Sequence, residues 1–314
     1  MSGSCSVIRQ VKQRVKHGAD ESRRVQIVGR EGTIATTTVW MRRLLAVAGM
    51  LVLIIGLPLY LIPQNSNEYF SWSVRESLSA AFLGGAYLAA AVIEFSAARE
   101  RIWANARIAI PAVLAFTLLT MFVTLGNTNQ YQFQAPGLVQ SVGTWAWLVV
   151  YVVVPPIMAI VLVAQLRRGG GDPARLDPIP PALRGTLVVG GVALLTGGAL
   201  LLSDPGTSSW MWPWPVADLT ARAFGAWLVG FGIAMVQLAW EADWRRVRPA
   251  TAGAGVLGVL QLVALLRYPD VPDWGAPQTW IYVAVMVSFA VLGAWGWQAA
   301  KARAQPIAGV AVNA

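Results

Sequence analysis

The sequence is poor in the side chains that most often build cofactor and catalytic sites. Cys5 is its single cysteine, which excludes an internal disulfide framework and a thiolate metal cluster. His17 is its single histidine and lies in the basic N-terminal stretch. Neither bis-histidine haem ligation nor a histidine-rich metal site therefore fits the apolar part of the chain. Lysine occurs only at Lys12, Lys16 and Lys301, so the apolar segments hold no Schiff-base amine and no Ser–Lys hydrolase dyad. No GxSxG, P-loop or HExxH pattern occurs. The expectation is a protein that is not an enzyme and carries no cofactor or metal. Charge is scarce as well: 12% of residues are charged, about half the roughly 25% of a soluble domain. No cleavable secretory signal is expected either, since the first apolar run begins near Leu44 and no small-residue cleavage site follows it.

What fills the sequence is apolar: 56% of its 314 residues are hydrophobic. They fall in blocks at 44–61, 77–95, 108–125, 144–166, 185–202, 223–240, 250–266 and 280–300. Each block is near the roughly 20 residues that cross a bilayer core of about 30 Å, and none alternates as a barrel strand would. An all-α membrane protein with eight transmembrane helices is expected. Of the 24 Lys plus Arg, only Arg75, Arg222 and Arg267 fall on one side of this arrangement. The positive-inside rule then puts both termini in the cytoplasm and the chain in the cell's inner membrane. The net charge of +9 follows from that topology. It needs no nucleic acid, and anionic lipid headgroups at the cytoplasmic face suit it.

Two stretches match across the chain. Residues 69–88, YFSWSVRESLSAAFLGGAYL, align with 210–228, WMWPWPVADLTARAFGAWL, pairing Trp72 with Trp214, Glu76 with Asp218 and Phe82 with Phe224. The register, about 141–143 residues, continues through Trp103 with Trp244 and Arg107 with Arg248, and shortens to about 135 where TWAWLVVYVVV meets TWIYVAVMVSF. A tandem duplication of four-helix units is the reading. An even number of spans per unit makes the repeats parallel, not inverted. The expected organisation is a basic, disordered tail at 1–40, repeat one at 41–166, a Gly/Pro-rich linker at 167–184, repeat two at 185–303 and a tail at 304–314. This pattern resembles eight-span membrane proteins of high-GC bacteria with a Trp-rich outer motif in each half. The resemblance implies a bacterial source and brings no activity with it.

Candidate functional positions follow from that layout. Trp72, Trp210, Trp212 and Trp214, with Trp145, Trp147, Trp274 and Trp280, sit at the outer level, while Trp103, Trp240, Trp244 and Trp297 sit at the inner one. An interfacial tryptophan belt explains them, with an outer ligand platform as the alternative. Ser73 and Glu76 fit a capping box at the start of span 2, and Asp218 can cap span 6 or pair with Arg222. The sharper reading of Glu76 and Asp218 is a pair of carboxylates flanking an outer mouth that attracts cations. Glu94 is the candidate intramembrane acid, with snorkelling or pairing near Arg99 as its plain explanation. Pro155 and Pro156 should kink or break span 4. Thr117, Thr120, Tyr151, Gln237 and Gln261 are the polar groups near the midplane, and Gly85, Ala89, Ala226, Gly230 and 253–258 suit close helix contacts. The functional expectation is a small-solute or ion permease with its path between the repeats. The alternative is a scaffold or accessory subunit with a membrane partner protein or a second copy of itself.

Overall fold

The computed structural model describes residues 34–302. Cys5, His17 and most of both expected tails lie outside the described residues. Within them eight helices are long and apolar enough to cross a membrane, which supports a multi-pass membrane protein. They are α1 (Val39–Leu61), α2 (Ser77–Arg99), α3 (Ile110–Gly126) and α4 (Leu138–Leu166), then α5 (Pro181–Ser203), α6 (Asp218–Glu241), α7 (Trp244–Arg267) and α8 (Pro277–Ala302). Most outrun their apolar block by a turn or more, because helical hydrogen bonding continues into polar ends such as Arg99 and Trp244–Arg248. α4 is one uninterrupted helix through Pro155 and Pro156, so of the expected kink or break the break does not occur. The two prolines still deprive the Tyr151 and Val152 carbonyls of their ordinary i+4 donors.

The chain reaches α1 in an ordered way, so the expected tail boundary at residue 40 falls inside the fold. The Thr37 amide donates to Arg101 O (2.8 Å) and the Trp103 amide to Ala35 O (3.0 Å). Thr38 caps α1 by accepting from the Met41 amide. The Gln165 side chain, at the end of α4, accepts from the Thr38 amide and donates to Thr36 O. The same device precedes α5: Ile179 N donates to Ala242 O (3.0 Å) and Trp244 N to Asp177 O (2.9 Å). Asp243 then caps α7 by accepting from the amides of Arg245 and Arg246. These loops define one end of the bundle, the basic end.

α1 packs on α2, α5 on α6 and α7 on α8, while α2 lies against α7 and α3 against α6. The central position of α2 shows in its burial, 78% of its apolar window against 17% for α5. The α5–α6 contact is close because it is glycine on glycine. A Cβ on Gly198 or on Gly225 would lie 2.7 Å from the other's carbonyl oxygen, so no larger residue fits without moving a backbone. On the outside, Ile54, Ile160, Val189 and Leu266 are exposed. Such apolar faces are costly in water and fitting in lipid.

Candidate functional site

At the end opposite the basic one, the segments before α2 and α6 run extended, so alternate side chains turn inward. Trp72 and Trp214 are 3% and 2% exposed, and Trp147 is equally buried. The interfacial belt therefore does not hold for Trp72, Trp147 or Trp214, nor for Trp212, which is half-buried. At the other end Trp103 and Trp244 are buried too. Trp145, Trp210, Trp240, Trp274 and Trp280 do have exposed rings. The buried rings form two clusters of one design. Phe70, Trp72 and Trp147 meet with Trp72–Trp147 at 5.2 Å and 81°. Trp212, Trp214 and Tyr282 meet with Trp214–Tyr282 at 5.5 Å and 81°. Both are edge-to-face arrangements that the ring quadrupole favours.

The two clusters are stitched across the seam. Trp72 Nε1 donates to Thr220 Oγ1 on α6 (3.2 Å), and Trp214 Nε1 donates to Ser79 Oγ on α2 (2.9 Å). Just below, Phe82 and Phe224 touch at 4.5 Å, with Trp212 against both. Gln261 is fully buried and donates to Phe82 O (3.0 Å) while accepting from Tyr282 Oη (3.0 Å). Gly85 makes room for it, since a Cβ there would come 2.6 Å from Gln261 Nε2. Gln261 is thus a bonded strut of the seam, and the seam is closed by aromatic rings.

Above that seal a depression of about 170 Å³ is walled by Val74–Glu76 and 215–217, with Ser79 and Thr220 lining it as well. The expected pair of carboxylates at this mouth is not symmetric. Glu76 lines it, whereas Asp218 is exposed and is not among the lining residues. The capping box is absent too: Glu76 is itself the N-cap of α2 and makes no side-chain capping bond, because Ser73 lies in the extended segment and the helix starts at Ser77. Arg222 donates to Leu202 O rather than pairing with Asp218. The Tyr131 ring lies under this end, against Trp72, and burial pushes its phenol up to about 12.

The acid that the structure singles out is Glu94. It is 1% exposed, its Oε2 has no hydrogen-bond partner, and among the described residues no cation pairs with it. Arg99 instead donates to Phe95 O, so neither the expected snorkelling nor the expected pairing occurs. Glu94 lines a cavity of about 80 Å³ set between α1, α2, α3, α4 and α6. Ala48, Val52 and Ile55 of α1 wall one side, and Phe116, Thr117, Tyr151, Trp227 and Phe231 the others. Thr117 Oγ1 is committed to Leu114 O, and the Tyr151 and Tyr87 hydroxyls share one hydrogen bond of 2.9 Å. A smaller hollow of about 10 Å³ adjoins Thr120 and Trp227. Thr120 Oγ1 and Trp227 Nε1 both lack partners, and this space suits one bridging water.

The basic end holds a cluster that sequence reasoning missed. Arg107 forms a two-pronged contact with Glu241 (2.5 and 2.8 Å) and another with Asp172 (2.9 and 2.7 Å). Arg246 joins both acids and donates to Pro173 O. Gln237 donates to Arg107 O. The four charges neutralise one another, which makes this a structural clasp between the turn that leads into α3, the 167–180 linker and α6–α7. The only advance signal was the Arg107–Arg248 correspondence, and Arg248 itself stacks on Trp297 at 4.4 Å. Among the described residues no group of three or more His, Cys, Asp or Glu could hold a metal ion.

No protein-family model, curated protein or solved structure matches this chain.

Proposed function

We propose that the chain is a small-solute permease of a bacterial inner membrane, with both termini in the cytoplasm and two parallel four-helix repeats, held in a conformation sealed toward the outside. One observation carries this reading: Glu94, a buried acid with an unpartnered carboxyl oxygen, is among the residues lining a cavity bounded by five helices. Ionisable groups at such depth are expensive and are retained where they bind or pass something. The repeat reading draws support from the matched ring clusters, the matched backbone pairings before α1 and α5, and the contact of α2 with α7 beside that of α3 with α6. Phe82 and Phe224, equivalent in sequence, meet on the axis that would relate the halves. In this orientation the outer depression and the Glu94 cavity lie on opposite sides of the Phe82–Phe224 seal, as alternating access requires. Exposed Arg167, Arg168 and Arg175 then lie at the cytoplasmic headgroup level, where anionic lipid suits them.

A scaffold or accessory subunit is the second reading, and the sealed seam with its committed Gln261 is what favours it. Thiol labelling separates the two. With Cys5 replaced by Ser, Thr117→Cys places a probe on the cavity wall and Asp270→Cys an exposed control at the opposite end. A thiol reacts as its thiolate and so needs water. A permease exposes residue 117 to an impermeant reagent from one face at rest and from the other during turnover. If the control labels and residue 117 stays dark from both faces, the permease reading fails and a stoichiometric partner is to be sought.

A further inference from the structure

The chemistry around Glu94 names a ligand class. Its carboxyl group is 1% exposed with Oε2 unpartnered, and it is the one acidic side chain among the cavity's lining residues. Four rings, Phe116, Tyr151, Trp227 and Phe231, line the same space. Thr117 Oγ1 donates to a backbone carbonyl, and the Tyr87 and Tyr151 hydroxyls share one hydrogen bond. Pro155 leaves the Tyr151 carbonyl without its usual helical donor. Ring faces and a single acidic side chain thus mark the wall. An anion would meet Glu94 itself.

We infer that this cavity binds a compact organic cation, an alkylammonium of about three to five heavy atoms, with its N–H groups on Glu94 and its carbons among the aromatic rings. A positive ligand fits each part of the wall: charge-assisted hydrogen bonding to the carboxylate, attraction to ring faces and apolar contact for the alkyl part. The size follows from the open space of about 80 Å³, roughly half that of an engineered apolar cavity that holds benzene. The inference names the substrate class of the permease reading and rests on that reading for transport, though not for binding.

Binding of radiolabelled propylammonium to the full-length protein in lipid nanodiscs, by equilibrium dialysis, tests it. One saturable site is expected, with a Kd of about 0.1–1 mM given the limit on affinity per heavy atom. Propanol, of equal size and uncharged, should compete at least tenfold more weakly, a comparison that needs no variant. Glu94→Gln should weaken propylammonium binding at least tenfold, while Glu68→Gln, on an exposed side chain outside the cavity, leaves it unchanged. Absence of saturable binding, equal competition by propanol, or full affinity in a folded Glu94→Gln protein each overturns the inference. Glu94-dependent binding with residue 117 dark from both faces would keep the site and remove transport. Labelling at residue 117 without propylammonium binding would keep the permease and remove this substrate class.

Discussion

Glu241→Gln is the sharpest structural test of the fold. The Glu241 side chain is 4% exposed and accepts from Arg107 Nε at 2.5 Å, Arg107 Nη2 at 2.8 Å and Arg246 Nη1 at 3.3 Å. Neutralising it leaves two guanidinium groups sharing one carboxylate, Asp172, which is 35% exposed. Arg246 is only 5% exposed, so solvent relieves it little. Removing one partner of a buried pair costs about 3–5 kcal/mol. The surviving Asp172 contacts, at 2.7 Å to Arg107 and 3.1 Å to Arg246, place the loss at the low end, about 3 kcal/mol, or about a hundredfold in the unfolding equilibrium. Reversible unfolding in mixed micelles with rising SDS, followed by far-UV circular dichroism, reads this as a lower midpoint. Glu68→Gln, on an exposed side chain, should shift it by no more than about 0.5 kcal/mol. Pairing the change with Arg107→Met should recover part of the loss, because the double replacement no longer strands that cation. A Glu241→Gln shift below about 1 kcal/mol would show that the clasp is solvated and that this reasoning fails.

Two further outcomes follow from packing and charge. Gly225→Val should lower the same midpoint by about 1–3 kcal/mol, the usual cost of overpacking, since a Cβ there meets Gly198 O at 2.7 Å and Leu202 N at 3.0 Å; Gly126→Ala, with nothing within 4 Å of its Cβ position, should leave it unchanged. Asp204 accepts from the Thr207 hydroxyl and amide, which hold its carboxyl below the usual 3.8. Because the folded value is the lower one, the cap it provides is complete above the unfolded value near 3.9 and is lost as pH falls through the folded value. Carboxyl carbon-13 shifts should show Thr207→Val moving the Asp204 midpoint up; an unmoved midpoint would rule out Thr207 as the cause.

Helices, their number and their order were legible because each block of apolar residues meets a physical requirement of lipid. Facing was not. α2 is apolar all round, so nothing in its pattern distinguishes a Glu94 that reaches the surface from one enclosed by α1, α3, α4 and α6. Tryptophan suffers from the same ambiguity. A ring that likes an interface also likes a core with one hydrogen-bond acceptor, and Trp72 and Trp214 found theirs on Thr220 and Ser79. The pairing of Trp72 with Trp214 in sequence was informative all the same, since both hold the same station in the folded chain. The clasp of Arg107, Asp172, Glu241 and Arg246 was out of reach. Its members lie on three separate segments, and Asp172 sits in a linker whose Gly/Pro-rich composition spoke only against helix. Capping at Glu76 was misread by one turn because Ser73 belongs to an extended segment whose inward alternation serves the ring cluster instead.

The crossed indole bonds bear on whether either half can live alone. Residues 34–166 contain the Trp72 donor but not its acceptor Thr220, and they contain Ser79 without the Trp214 that uses it. Arg107 likewise looks to Glu241 for its deepest partner, and Tyr60 donates to Leu260 O while accepting from Arg267. Severed in the linker, each half would present orphaned donors on an apolar face, and the two would have to find one another to satisfy them. Likeness between two stretches of sequence thus does not make the halves independent in the folded molecule: they lean on one another, and the chain should melt as a single cooperative body.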